Sequence, residues 1–419
     1  MEQATPPHRR IPFLDVLRGV AMLGILPVNV PYFALPVAVA DKGVDELRGG
    51  AALAAVVTDS LFSFRFITLF SFLFGVGVLL LKQRCDARGV SHAAVMVRRL
   101  GALALFGALH IVLLWSGDIL LIYAVLGFVF FACVRWRVVT LGCAGALLVM
   151  IPILLTAALA AWPSWPTDGI ASASGDMSEE TVAKMTAAAH APMNEFLHAV
   201  SSGELHPSFE TAVYRDGTFT RQVIVRVATW LADLKFYGVI VVPRVAGLML
   251  LGMACAKPGW VLRPVESRRA FRRAAAWGLG AGVPLQALCW LYLPDSETRL
   301  QYFGYTLLQI ASLFMAAGYL GLVGMICARA SGPPAWTRPL SAVGRTAFSN
   351  YILQSLMCTA LFYSWGLGLF GRFDRASLWG VVAGVWAFQL AVSSVYARHF
   401  NMGPLETVWR RLTYGRAWR

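Results

Sequence analysis

Apolar residues come in long runs along this chain, and polar residues punctuate the runs instead of alternating with them. Runs near the roughly 20 residues needed to cross a bilayer fall at about 14–36, the later part of 51–81, 100–115, 119–134, 138–161, 236–256, 274–293, 303–328, 346–365 and 378–397. The pattern predicts an all-α, polytopic membrane protein with about ten transmembrane helices. It divides the chain into an N-terminal helical membrane bundle (1–161), an insert outside the membrane (162–235), a second membrane bundle (236–397) and a basic tail (398–419). The insert is rich in Ser, Thr and Ala. Within it, residues 178–200 read as one surface helix capped by Asp176 or Ser178, and 221–234 as a helix lying in the membrane interface.

Composition agrees with a membrane location. The chain of 419 residues is 58% hydrophobic and 14% charged, against about 25% charged in soluble domains. Its net charge of +14 does not point to nucleic acid, because the basic residues follow the loops. Loops on the side of the N-terminus hold 23 of the 36 lysines and arginines, whereas the opposite short loops hold only Lys42, Arg48, Arg299, Arg372 and Arg375. The positive-inside rule then puts both termini in the cytoplasm. Seven cysteines show neither a CxxC pair nor metal spacing, and read as packing residues or free thiols. His190, His198 and His206 recur every eight residues, which is not a metal spacing, so no metal is expected. No Walker, GxSxG or HExxH motif is present. No internal repeat supports an inverted-repeat transporter.

The chemistry concentrates in residues 110–123, HIVLLWSGDILLIY. Ionisable groups in a membrane helix are costly and mark functional sites by default. His110 suits general-base work because its proton affinity lies near neutral pH. It also suits a plain interhelical hydrogen bond, and Asp118 a helix cap. Eight residues of straight helix would hold the two about 12 Å apart, so a His–Asp dyad requires a bend or a bridging substrate. Asp15 and Arg18 share a helix face, with Arg18 either neutralised by Asp15 or free to grip a phosphate or carboxylate. Asn29 follows further along the same run. Arg65 and Arg244 are further buried-charge candidates. Gln286, Gln309, Asn350, Gln354 and Gln389 read as hydrogen-bonding glue between helices.

Four blocks in order, RIPFLDVLRGVAMLGILPVNV, GALHIVLLWSGDILLIYAVLG, GRTAFSNYILQS with FYSWGLGLFG, and GPLETVWRRLTYGR, resemble the YeiB-like family of bacterial membrane proteins, which carry a domain of unknown function. The first block is also distantly similar to the opening of the acyltransferase-three and heparan-α-glucosaminide N-acetyltransferase families. The acyltransferase-three pattern has Arg, ten residues, then a catalytic His. Here Arg18 is followed after ten residues by Asn29, as in the heparan-type enzymes. Their histidine follows soon after, but no histidine lies between Asn29 and His92, so His110 would supply the base. The resemblance implies an O- or N-acyltransferase with acyl-CoA as donor and a small-molecule or glycan acceptor outside or within the membrane. The donor's phosphates would sit among Arg9, Arg10, Arg18, Arg98, Arg99 or Arg345, Asn29 would hold the thioester carbonyl, and Asp118 would orient the acceptor. The alternatives are a transporter or exporter of a small polar solute and a non-catalytic membrane partner. A homo-oligomer is left open.

Overall fold

A chain this apolar can lie in a bilayer only if each backbone amide is bonded within its own segment, which favours helices. The computed structural model describes residues 11–161, 178–201, 206–292, 298–329 and 331–414, and every regular element among them is helical. Arg9, Arg10 and Asp176 lie outside the described residues. The helices are α1 (Pro12–Ala34), the single turn α2 (Val37–Ala40), α3 (Gly49–Leu61), α4 (Arg65–Asp86), α5 (His92–Leu113), α6 (Leu120–Phe130) and α7 (Val138–Ala161). The insert contributes α8 (Glu179–His190), α9 (Met193–Ser201), α10 (Pro207–Asp216) and α11 (Phe219–Phe236). Then follow α12 (Val242–Ala256), α13 (Arg268–Cys289), α14 (Thr298–Cys327), α15 (Arg338–Arg345), α16 (Ala347–Phe362), α17 (Leu378–His399) and α18 (Pro404–Tyr414).

Each of the ten apolar runs falls on a helix. Seven stretches among the described residues are long and apolar enough to cross a membrane: those of α1, α3–α4, α5, α7, α12 with the π-turn before it, α14 and α17. Three expected spans are shorter or more polar. Helix α6 has 11 residues before a 3₁₀ turn and α16 has 16, about 24 Å against a hydrocarbon core of roughly 30 Å. Helix α13 spends its first turns on Arg268, Arg269, Arg272 and Arg273. Close helix crossings use glycine. A Cβ on Gly75 of α4 would lie 1.9 Å from the Met249 carbonyl oxygen, and one on Gly252 of α12 2.1 Å from that of Phe72. That contact sets Arg244 of α12 beside Thr68 of α4.

The insert corrects two expectations. Residues 178–200 form two helices, because Pro192 breaks the run; Ser178 caps the first, accepting from the Thr181 amide at 3.3 Å. Helix α11 is not simply laid on a membrane surface, since Gln222, Val225 and Arg226 along one face are fully buried in protein. The insert shares a hydrophobic core with the bundle: Phe196, Phe209 and Val213 join Phe33 of α1, Cys358 and Phe362 of α16, and Leu378 of α17. Glu406 in the tail accepts from the amides of Phe348 (2.7 Å) and Ser349 (3.2 Å), capping α16.

Candidate functional site

Helix α5 stops at Leu113 because the chain turns back on itself. The amides of Leu114 and Trp115 both donate to the His110 carbonyl at 2.9 Å, and Ser116–Gly117 then reverse direction. The returning segment lies against Gly107, where a Cβ would sit 2.9 Å from Asp118 Oδ1 and 2.5 Å from the Leu121 nitrogen. Only glycine at 107, one turn before His110, leaves that room. The 12 Å separation expected of a straight helix is therefore overturned. His110 Nδ1 and Asp118 Oδ2 are 2.9 Å apart with both side chains fully buried, although the carboxylate lies out of line with a ring N–H. Asp118 does two jobs, because its Oδ1 accepts from the Leu121 amide at 2.8 Å and caps α6.

The other face of the imidazole meets a residue that the sequence did not single out. Ser355 Oγ of α16 lies 2.8 Å from His110 Nε2, while the nearest acceptor on its own helix, the Tyr351 carbonyl, is 3.5 Å away. Ser355, His110 and Asp118 thus lie in a series of close contacts, exposed by 2%, 2% and 1%. Trp115 and Tyr351 wall it, with ring centroids 6.5 and 5.0 Å from the imidazole, and Phe33 of α1 stacks on Trp115 at 4.2 Å. The buried Arg226 of α11 braces the end of α5, donating through Nε (3.2 Å) and Nη2 (3.0 Å) to the Val112 carbonyl. A hydroxyl hydrogen-bonded to an imidazole beside a carboxylate is the arrangement that activates an oxygen nucleophile.

The remaining candidates scatter. Asn29 is half-buried on α1 and makes no hydrogen bond to any of the three. It lies on the stretch of α1 whose Val30 and Phe33 share a core with Cys358 of α16. At the opposite end of α5, Arg18 and Arg99 come within electrostatic reach of one another and of Arg84. Arg18 pairs with Asp15 at 3.2 Å, and Arg99 lies over the Trp409 ring at 3.8 Å. Arg98 is exposed, and Arg345 is half-buried at the end of α15. His110 lies eleven residues beyond Arg99, about 16 Å along the helix.

Three amides are structural. Asn350 donates to Thr346 Oγ1 and Ser393 Oγ, Gln354 to the Met22 carbonyl, and Gln389 to Asn350. Gln286 and Gln309 instead adjoin the buried arginines Arg65 and Arg244. Of the insert's histidines, His206 Nδ1 accepts from the Ser208 amide at the head of α10.

A family model described as "Protein of unknown function (DUF418)" matches residues 255–416, which include Ser355. The chain is 31% identical to the uncharacterized protein YxaH of Bacillus subtilis (strain 168), covering 98% of this chain and 96% of the relative. It is 30% identical to the uncharacterized protein YeiB of Escherichia coli (strain K12), over 96% and 95%. No solved structure matches.

Proposed function

We propose, since the chain belongs to the YeiB-like family of multi-pass membrane proteins, that it is an acyltransferase whose centre is Ser355, His110 and Asp118. The supporting observation is the buried series of contacts, 2.8 Å from Ser355 to His110 and 2.9 Å from His110 to Asp118. His110 Nε2 takes the Ser355 proton as Oγ attacks the thioester carbonyl of acyl-CoA. The tetrahedral intermediate collapses, the C–S bond breaks, and the thiol leaves with the proton from His110. An acceptor hydroxyl or amine then attacks the acyl-serine, gives its proton to His110, and Ser355 Oγ recovers it. Asp118 stabilises the imidazolium formed in each half-reaction, and Asn29 is assigned the thioester carbonyl. The near-zero exposure of the three side chains excludes water, which favours transfer over hydrolysis. With the termini cytoplasmic in the inner membrane, the donor enters by Arg18 and Arg99, and the acceptor reaches the centre from the opposite face or from within the bilayer.

The test compares two His110 variants. His110→Ala lowers acyl-CoA turnover roughly 100- to 10,000-fold. His110→Gln fails to restore it, because an amide cannot take up a proton near pH 7. Thiol release and melting temperature are read on the same samples. A fully active His110→Gln would return His110 to helix glue and favour the second reading, transport of a small polar solute, which draws on the buried arginines described next.

A further inference from the structure

We infer that Arg65 and Arg244 form a second site, which binds one carboxylate or phosphate group between α4, α12, α13 and α14. Arg65 is 0% exposed and Arg244 1%, and among the described residues neither forms an ion pair. Every acceptor they hydrogen-bond is neutral. Arg65 donates to the main-chain oxygens of Asp59 (2.6 Å) and Ser63 (2.5 Å) and to the amide oxygen of Gln286. Arg244 donates to Thr68 Oγ1 (3.1 Å) and Ser312 Oγ (2.7 Å), with the Gln309 carbonyl at 3.5 Å.

The two cations repel each other and meet the same face of α14, Arg244 at Ser312 and Arg65 at Met315, one turn apart. Asp59 supplies a carboxylate within reach of Arg65, but its Oδ1 is engaged by Ser63 at 2.6 Å. One carboxylate leaves the cluster a charge short. Burying charge without compensation is expensive, and Arg65 opens α4, where the helix dipole is itself positive.

In this cluster three buried donors have no partner among the described residues: Arg65 Nε, Arg244 Nε and Gln286 Nε2. The guanidinium fork suits bidentate oxyanions. The backbone adds independent support. Phe64, next to Arg65, has φ of +62°, and among the described residues it is the one non-glycine residue in the left-handed region. That conformation is strained for a bulky side chain and tends to occur at functional sites. It places the Phe64 ring 5.3 Å from the Arg244 guanidinium. A π-turn at Tyr237–Val241 directly precedes α12, another feature frequent at functional sites.

The site does not depend on acyl transfer and is tested without it. The full chain is purified in an uncharged detergent and its melting temperature followed in two titrations. One adds sodium phosphate against sodium chloride at matched ionic strength. The other adds phosphatidylglycerol against diacylglycerol in mixed micelles. A saturable rise with phosphate identifies a soluble anion; a rise with phosphatidylglycerol alone identifies a lipid headgroup. Either supports the site, provided that Arg244→Gln and Arg65→Gln each weaken the response about 10- to 150-fold, the loss of one charged hydrogen bond, while Arg411→Gln, at an exposed position of α18, leaves it unchanged. No saturable rise with either probe in the parent protein, a result that needs no variant to fold, overturns the inference. So does an equal response in folded Arg244→Gln.

Discussion

Two of the polar clusters buried in this bundle settle the cost of burial in opposite ways. Around His110 each ionisable group has a partner close by: the imidazole lies between Ser355 and Asp118, and Asp118 is also held by the Leu121 amide. Such a cluster can pass a proton internally without creating an uncompensated charge. Around Arg65 and Arg244 two fixed cations share neutral acceptors and a single carboxylate already engaged by Ser63. Arginine does not readily shed its proton, so the balance of this cluster falls to the guest anion inferred above. On the proposed reading, the contrast separates a site that does chemistry from one that holds charge. Burial alone would have classed them together.

The sharpest way to break the contrast is to remove the charge on Asp118 while keeping its cap. In Asp118→Asn a side-chain oxygen remains for the Leu121 amide, so melting temperature stays near that of the parent. Turnover falls by as much as roughly 10,000-fold, the loss found when a triad carboxylate is neutralised. Asp118→Ala loses as much turnover and about 1 kcal/mol of stability besides, because the cap goes too. An Asn variant with parental turnover would make Asp118 a cap and nothing more.

The sequence displayed some of this and hid the rest for physical reasons. The helical class followed from run length, and His110 and Asp118 stood out because ionisable groups are rare in apolar runs. Their contact did not, because it depends on where α5 ends, and Ser116–Gly117 with Gly107 decide that through a turn a straight-helix estimate ignores. Ser355 gave no signal. A hydroxyl in a membrane helix ordinarily bonds the carbonyl four residues back, as Thr359 does to Ser355 at 2.7 Å. What distinguishes Ser355 is the packing of α16 against α5, 245 residues away in the chain. Likewise, α11 read as an interfacial helix, but its buried face meets α5 and Ser364, just beyond α16.

A smaller effect sharpens the comparison with a third solution, neutralising a buried charge by protonation. Glu210 of α10 is 2% exposed and accepts from the Val37 amide at 2.8 Å. Burial, aided by Asp41 and Asp233, pushes its carboxyl up to about 8 from an ordinary 4.5. Between those values the folded protein keeps a proton that the unfolded chain has released, so stability falls as pH rises through the window. Melting temperature is therefore expected to decline from about pH 5 to about pH 8, and Glu210→Gln to flatten that decline. Asp233, raised to about 6 by burial, retains a share at the lower end. An unchanged slope in Glu210→Gln would remove Glu210 as its source.

The central claim, that Ser355 carries the acyl group between donor and acceptor, has a direct chemical test. The purified protein is mixed with isotope-labelled acyl-CoA without acceptor, quenched in acid, digested and analysed by mass spectrometry. A labelled acyl ester is expected on Ser355 that accumulates without acceptor, disappears when acceptor is supplied, and is absent from Ser355→Ala, which also loses turnover. No ester at Ser355, together with full turnover in Ser355→Ala, would contradict it.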